Sequence, residues 1–366
     1  AAFASGVERL ARADAALAVT SAAWDQDPML LGHPGGVTTD LRDGRQRAAD
    51  PGDGITRLTA VAPEPGACPR WTAFLMEATG GDEDLVAFIQ LFVGYLLTGR
   101  TVEHVLLFIF GPGGNGKSVF LNILTRLLAD YARVASMDTF TASRGDRHPA
   151  DLAYLRGARL VTATETEEGR SWAESRIKAL TGGDPITARE MGRDFFTYEP
   201  QFKLVIAGNH QPVLRNVDAA ARRRFLILPF TRTPARPDPE LEEKLWEEAP
   251  QILAWAIRGA LEWAEEGLPR PEAVRAATDT YFADQDVFGG FLEEHCELGD
   301  REASVPAAEL FSAWRLYAES AGEKPGTAKA LGARLRRLGL TSRREGSGSS
   351  RRRVWAGIRL KPGALP

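Results

Sequence analysis

Apolar residues fall along this chain in two rhythms, and the change between them divides it. From 70 to 99 they crowd two stretches on either side of Gly80-Gly81, RWTAFLMEAT and DEDLVAFIQLFVGYLLTG, which predict two apolar helices. Between 105 and 230 the pattern becomes short solid runs: Val105–Phe110, Arg133–Met137, Leu160–Thr164, Phe202–Ala207 and Phe225–Pro229. The first is followed by Phe120, Leu121, Leu124, Leu127 and Leu128 at helical spacing. Runs of this kind suit strands buried on both faces. Their alternation with helices predicts an α/β core around a mostly parallel sheet.

The flanks read differently. Residues 5–20 predict an amphipathic helix, WDQDPMLLGHPGGVTTDLRDG a small β-element, and 43–66 a polar loop. The first hundred residues are therefore expected to be a small, mostly helical accessory domain that serves as scaffold and carries no chemistry. After 230, TRTPARPDPE breaks the strand pattern, and helical periodicity returns through Leu245, Ile252, Trp255, Ile257, Leu261 and Trp263. A second break at 267–273 precedes helices expected at 272–297, 306–321 and 327–338, then two short strands around a Gly/Ser turn. That is the layout of a winged helix. The domains expected are 1–100, 101–270 (the α/β core) and 271–366.

Composition alters this picture at a few points. A net charge of −4 over 366 residues conceals a basic tail, with ten Arg or Lys and one acidic residue, Glu345, between Arg334 and Lys361. Arg334, Arg336, Arg337, Arg351, Arg352 and Arg353 are the candidates there for contact with a nucleic-acid backbone. Cys68 and Cys296 are the only cysteines, which suits a reducing cytoplasm and argues against a disulfide framework or zinc site. No apolar run reaches transmembrane length, so no membrane partner is expected. The chain opens on Ala, not Met, and is expected to be a fragment of something longer.

The clearest chemistry follows the first solid run. Gly111-Pro112-Gly113-Gly114-Asn115-Gly116-Lys117-Ser118 fits the pattern G-x-x-x-x-G-K-[ST] between a strand and a helix, and these residues with Val119 are the candidates for nucleotide binding. Such a loop turns backbone N–H groups toward phosphate oxygens, and glycines keep Cβ atoms out of the way. The helix N-terminus adds positive dipole. Lys117 would reach the β- and γ-phosphates, and Ser118 would hold Mg²⁺.

In an open parallel sheet ligands sit past the C-terminal ends of the strands. Glu165, with Glu167 and Glu168 beyond it, follows Leu160–Thr164, and a carboxylate there can bind Mg²⁺ and polarise an attacking water. Asn209 follows Phe202–Ala207 and can hydrogen-bond a γ-phosphate and that water. Arg222, Arg223 and Arg224 precede the last run. An Arg placed there can reach a neighbouring subunit's nucleotide, although a solvated surface patch is the plainer account.

Together these stretches resemble superfamily 3 helicases of the phage, plasmid and poxvirus primase-helicase branch. The resemblance is carried in order by GPGGNGKSVFLNIL, RLVTATETEEG, KALTGGDPITARE, FKLVIAGNHQP and DAAARRRFLILPF. Arg222 departs from the pattern, since members often carry an aromatic residue before an Arg pair, here Arg223 and Arg224. The resemblance implies an AAA+-like core, ATP and Mg²⁺, and a ring, usually a hexamer. Lys117 and Ser118 would act from one subunit, and Arg223 or Arg224 from the next. It also implies single-stranded or forked DNA touched by a hairpin within DPITAREMGRDFFTYEPQFK, with Lys178, Arg189, Arg193 and Lys203 supplying charge. Phe195 and Phe196 are expected to pack in the core, because they begin a strand.

The function expected is an ATP-dependent DNA helicase in replication of a phage, plasmid or integrated element, in the cytoplasm of a bacterial or phage-infected cell. An ATP-dependent initiator or loader without strand separation is the alternative. A small-molecule kinase is disfavoured, having no need of an Arg triplet or a basic winged helix. No primase zinc element or acidic triad occurs in these 366 residues, so any priming activity, from a primase or polymerase domain or partner, would lie outside them.

Overall fold

The protein is described here by a computed structural model of residues 2–14, 17–20, 23–142, 150–165, 169–214, 218–300, 302–322, 324–346 and 352–362, without the side chains of Ala2 and Arg337. Two compact units divide the chain at 279/280. The first opens with α1 (Ala2–Ala13), whose Phe3 and Leu10 are exposed. A three-stranded antiparallel sheet follows, β1 (Leu30–His33), β2 (Val37–Asp40) and β3 (Gln46–Ala48). The loop expected over 43–66 therefore contains a strand. Its three residues are all exposed, so no hydrophobic alternation marks it in the sequence.

The next helices end and begin as their residues dictate. α2 (Pro69–Thr79) stops at Gly80 and Gly81, both at positive φ, whose N–H groups return to the carbonyls of Glu77 and Met76. Asp82 then caps α3 (Glu83–Leu97), accepting from the Leu85 N–H at 2.9 Å. The core follows as β4 (Leu106–Phe110), α4 (Lys117–Leu128), β5 (Ala132–Val134), α5 (Ala150–Ala153), β6 (Leu160–Glu165) and α6 (Glu174–Gly182). A hairpin of β7 (Ile186–Arg189) and β8 (Phe195–Tyr198) leads into β9 (Lys203–Gly208), α7 (Ala219–Arg224) and β10 (Phe225–Pro229). Helices α8 (Leu241–Trp246), α9 (Ala249–Glu266) and α10 (Glu272–Gln285) follow, the last crossing the boundary between units.

Five strands form one parallel sheet in the order β10-β4-β9-β6-β5. β5 is shorter than the run Arg133–Met137, because Met137 enters a 3₁₀ turn. Register aligns the strand ends: Pro229 lies opposite Phe110, Phe110 opposite Gly208, and Gly208 opposite Glu165. Four C-terminal ends thus finish in one row.

At the other end of the sheet two cations are buried. Arg159 donates to the carbonyls of Leu97 and Leu30, both at 2.6 Å, and lies over the Tyr131 ring. Lys203 donates to the carbonyls of Thr98 and Gln201 and lies over the Tyr95 ring. Burial pushes both groups below their usual pKa, Lys203 well below. Leu97 and Thr98 end α3, where the helix dipole is negative, so the two cations meet the carbonyls that the helix leaves unbonded.

Helix α3 crosses α9 at glycines. A Cβ on Gly94 would lie 2.1 Å from the Ala260 nitrogen, and one on Gly259 2.2 Å from the Gln90 oxygen. Tyr95 and Trp263 pack at 4.6 Å between ring centroids beside this contact. Among the described residues no helix is long and apolar enough to cross a membrane.

The second unit continues with α11 (Val287–His295), β11 (Cys296–Leu298), β12 (Ser304–Pro306), α12 (Ala307–Ser320), α13 (Ala328–Arg337), β13 (Thr341–Glu345), β14 (Arg352–Ala356) and β15 (Ile358–Leu360). The single helix expected over 272–297 is broken at Asp286, whose carboxylate accepts from the Gly289 N–H and starts α11. β12, β14 and β13 form one antiparallel sheet, and β11 pairs with β15. Phe291, Leu310, Trp314, Leu335, Trp355 and Ile358 lie in this unit's own core.

Gly94→Ala forces two backbones apart and is expected to cost about 2 kcal/mol or more in chemical denaturation. Gly6→Ala, where nothing lies within 4 Å, should be close to neutral. A second expectation concerns pH. His33 is buried between Thr59 Oγ1 at 2.7 Å and Thr39 Oγ1 at 2.8 Å, and burial, aided by the Arg159 charge, lowers its pKa to about 4. The unfolded chain takes up this proton near pH 6.5 and the folded chain does not. The His33 contribution is therefore complete above about pH 6.5 and lost as pH falls toward about 4. Denaturation midpoints across that window should fall more steeply for the wild type than for His33→Asn.

Candidate functional site

The loop 111–118 is shaped by what lies against it. A Cβ on Gly111 would fall 1.8 Å from the Phe230 oxygen, just past β10, and one on Gly116 2.7 Å from the Phe74 ring of α2. Gly116 also sits at φ +86°, where only glycine is unstrained, and opens α4. Asn115 is buried, donating from Nδ2 to the Phe230 carbonyl. Lys117 is folded back on the loop. Its Nζ donates to the carbonyls of Gly111 (2.7 Å) and Pro112 (2.8 Å) and to Asn115 Oδ1 (2.8 Å). Burial lowers its pKa. Pro112, Gly113, Gly114 and Ser118 are exposed, and Val119 is half-buried against the core.

A cavity of about 430 Å³ opens at the row of strand ends. It is lined by the loop from Gly113 through Val119, by Thr164 and Glu165 at the end of β6, and by Gly208, which ends β9, and Asn209 just past it. Glu165 is buried, whereas Asn209 is exposed. The fold thus brings Lys117, Ser118, Glu165 and Asn209 to one cavity from three separate segments. Glu167 and Glu168 lie outside the described residues. Ser118 and Glu165 are the oxygen donors that suit a divalent ion already carrying phosphate ligands, which needs only one or two protein groups. Among the described residues no cluster of three or more His, Cys, Asp or Glu is placed to hold a metal by itself.

Part of the wall comes from segments for which the sequence predicts no place in the site: α2, read as scaffold, and the Pro-rich break after β10. Phe74, Glu77 and Ala78 of α2, at i, i+3 and i+4, line the cavity, as do Arg232, Pro234 and Pro237 after β10. The expectation that the first hundred residues contribute nothing to the site is corrected for α2. Its apolar periodicity could not reveal that one stripe faces a cavity.

The three arginines separate by environment. Arg222 pairs with Asp279 at 2.9 Å. Arg224 is half-buried and donates from Nη1 to the Ala220 carbonyl in its own short helix, α7. The Arg223 side chain is exposed and makes no hydrogen bond or ion pair among the described residues.

The hairpin residues divide likewise. Arg189 and Arg193 are exposed around the β7–β8 turn, with Arg189 5.2 Å from the Phe195 ring centroid and Arg193 paired to Glu190 at 3.1 Å. Phe195 is 60% exposed and Met191 81%, so core packing does not hold for Phe195, while Phe196 is half-buried. Its strand is one of only two in the hairpin, and the pleat turns it to solvent. Lys178 pairs with Asp218, the N-cap of α7, at 2.7 Å. Lys203 is corrected: it is buried at the opposite end of the sheet and is no surface cation.

In the second unit Arg334 is half-buried over Phe288 and Trp314, and Arg336 is exposed beside Trp355. Arg352 and Arg353 are exposed on β14. Register sets Arg353 directly opposite Arg344, and Arg352 opposite Glu345. Arg351 and the Arg337 side chain lie outside the described residues.

Comparison with known proteins places these features in company. Residues 1–80 match the family described as D5 N terminal like, and 109–224 a family of unknown function (DUF5906). The "Putative helicase L207/L206" of Acanthamoeba polyphaga mimivirus is 24% identical over 81% of this chain. The chain spans 33% of that protein. The "Putative primase C962R" of African swine fever virus is 23% identical over 42% of the chain, which spans 17% of that protein. Among solved structures the apo C-terminal region (305-718) of NrS-1 aligns with a TM-score of 0.54 at 11% identity, covering 96% of this chain and 90% of that one. This last likeness is one of fold.

Proposed function

We propose that the chain is a primase-helicase of the kind its relatives are named for, and that it is an ATP-driven DNA helicase of superfamily 3. One observation carries the reading: a single cavity is lined by the phosphate-type loop, by Glu165 and by Asn209. In this reading backbone N–H groups of 113–118 surround the β-phosphate, and Lys117 leaves its loop carbonyls for the phosphate oxygens. Magnesium, held through Ser118 and Glu165, would neutralise charge on the β- and γ-phosphates. Glu165 also orients the attacking water, and Asn209 hydrogen-bonds that water and the γ-phosphate.

Arg223 is assigned as the residue that completes a neighbour's site, because Arg222 and Arg224 are engaged within their own subunit. Such a site needs a closed ring, expected to be a hexamer. DNA is assigned to the hairpin turn, where Arg189 and Arg193 offer charge and Phe195 a stacking surface. The second unit is read as a basic winged helix. Like charges set directly opposite, as Arg344 and Arg353 are, repel one another unless an anion lies between them. Arg334 and Lys178 serve packing and ion pairing first, and Lys203 is left out of the interface.

Lys117→Ala should abolish DNA-stimulated ATP hydrolysis while the chain still folds cooperatively, with a modest drop in melting temperature for the lost loop hydrogen bonds; near-normal turnover would reject the loop assignment. Arg223→Ala should lower kcat by about 10³-fold or more, with a far smaller loss for Arg222→Ala. Displacement of a strand from a forked DNA by the wild type tests the helicase claim. DNA-stimulated hydrolysis without displacement would instead favour an ATP-dependent initiator or loader.

A further inference from the structure

The cavity extends beyond the phosphate loop, and that part has a composition of its own. Phe74 and Ala78 bring apolar surface from α2, Pro234 and Pro237 bring it from the loop after β10, and Leu241 from the start of α8. Apolar surfaces around a slot suit a planar ring, and a few polar groups then fix which ring. Three charged side chains line this part: Glu77, Arg232 and Asp238.

They are not equally available. Asp238 is already engaged, accepting from the Glu240 N–H at 3.0 Å through Oδ1 and from Lys244 Nζ at 2.7 Å through Oδ2. Arg232 passes over Gly80, where an added Cβ would lie 2.9 Å from its Nε. A guanidinium only donates, so it suits phosphate and ribose oxygens common to all nucleotides. Glu77 is exposed to the cavity and makes no side-chain hydrogen bond or ion pair among the described residues. A carboxylate only accepts, so the ring edge that meets it must donate.

We propose that Glu77 is a specificity-determining residue that reads the nucleotide's base, selecting purines whose six-membered-ring edge donates a hydrogen bond. The 6-amino group of adenine has this chemistry, as does the N1–H and 2-amino edge of guanine. The proposal rests on the nucleotide reading of the same cavity. It places discrimination on α2, outside the loop and strand ends assigned to phosphate.

The test is calorimetric binding to the full chain with Mg²⁺, comparing ATP with purine riboside triphosphate, which lacks only the 6-amino group. The wild type should bind ATP about tenfold more tightly, the worth of one hydrogen bond to a charged acceptor. In Glu77→Ala the two affinities should converge, and Glu77→Gln, which keeps an acceptor oxygen, should retain part of the difference. Both variants should melt with the wild type, because the carboxylate bonds to nothing in the fold. Equal affinities in the wild type, or an undiminished ratio in Glu77→Ala, would overturn the proposal. If both triphosphates bind equally and both lose affinity in Lys117→Ala, the phosphate site stands and only the base reading falls. If the wild type binds neither, both readings fall together.

Discussion

Backbone carbonyls at the ends of helices and strands must find donors, and this fold answers that demand differently at its two ends. At one, Arg159 and Lys203 are buried under the sheet and turned onto the carbonyls that end α3 and border β1 and β9. Burying a cation costs several kcal/mol, offset here by charge-assisted hydrogen bonds and by the aromatic faces of Tyr131 and Tyr95. The result fixes the helical layer and the small antiparallel sheet to one edge of the core.

At the other end the same need is met only provisionally. Lys117 and Asn115 satisfy carbonyls of their own loop and of Phe230. Those bonds hold the loop in shape, yet the lysine's are within one side chain's reach of being exchanged for phosphate. The glycines at 111 and 116 matter here for clearance, since β10's continuation and the Phe74 ring occupy the space a Cβ would need. The loop is thus braced from both sides, by α2 and by the segment after β10. Those same two segments line the rest of the cavity, so the proposed base and phosphate sites would share one frame.

The arginines before β10 illustrate how one sequence feature divides into several roles. Arg222 is tied to Asp279, Arg224 to its own helix, and the Arg223 side chain is exposed and unpaired among the described residues. Taken with a cavity open at the strand ends, this fits a site shared between copies, which is the ring reading. The hairpin follows a similar logic, because Phe195 and Met191 are large apolar side chains left mostly exposed at its turn.

Much of this was legible in the residue pattern alone. Solid apolar runs identify strands because a parallel sheet buried on both faces tolerates no alternation, and G-x-x-x-x-G-K-[ST] at a strand–helix junction identifies the loop because few other sequences can present so many N–H groups. Glu165 and Asn209 could be named because they directly follow such runs. Local pattern carries no information on what approaches from elsewhere in the chain. It therefore missed β3, the break at Asp286 and the cavity face of α2, and it took Lys203 for a surface cation and Phe195 for a core residue. Only tertiary structure decided those points, since burial and pairing are set by segments distant in sequence, as the carbonyls of Thr98 are for Lys203 and the Asp279 carboxylate is for Arg222.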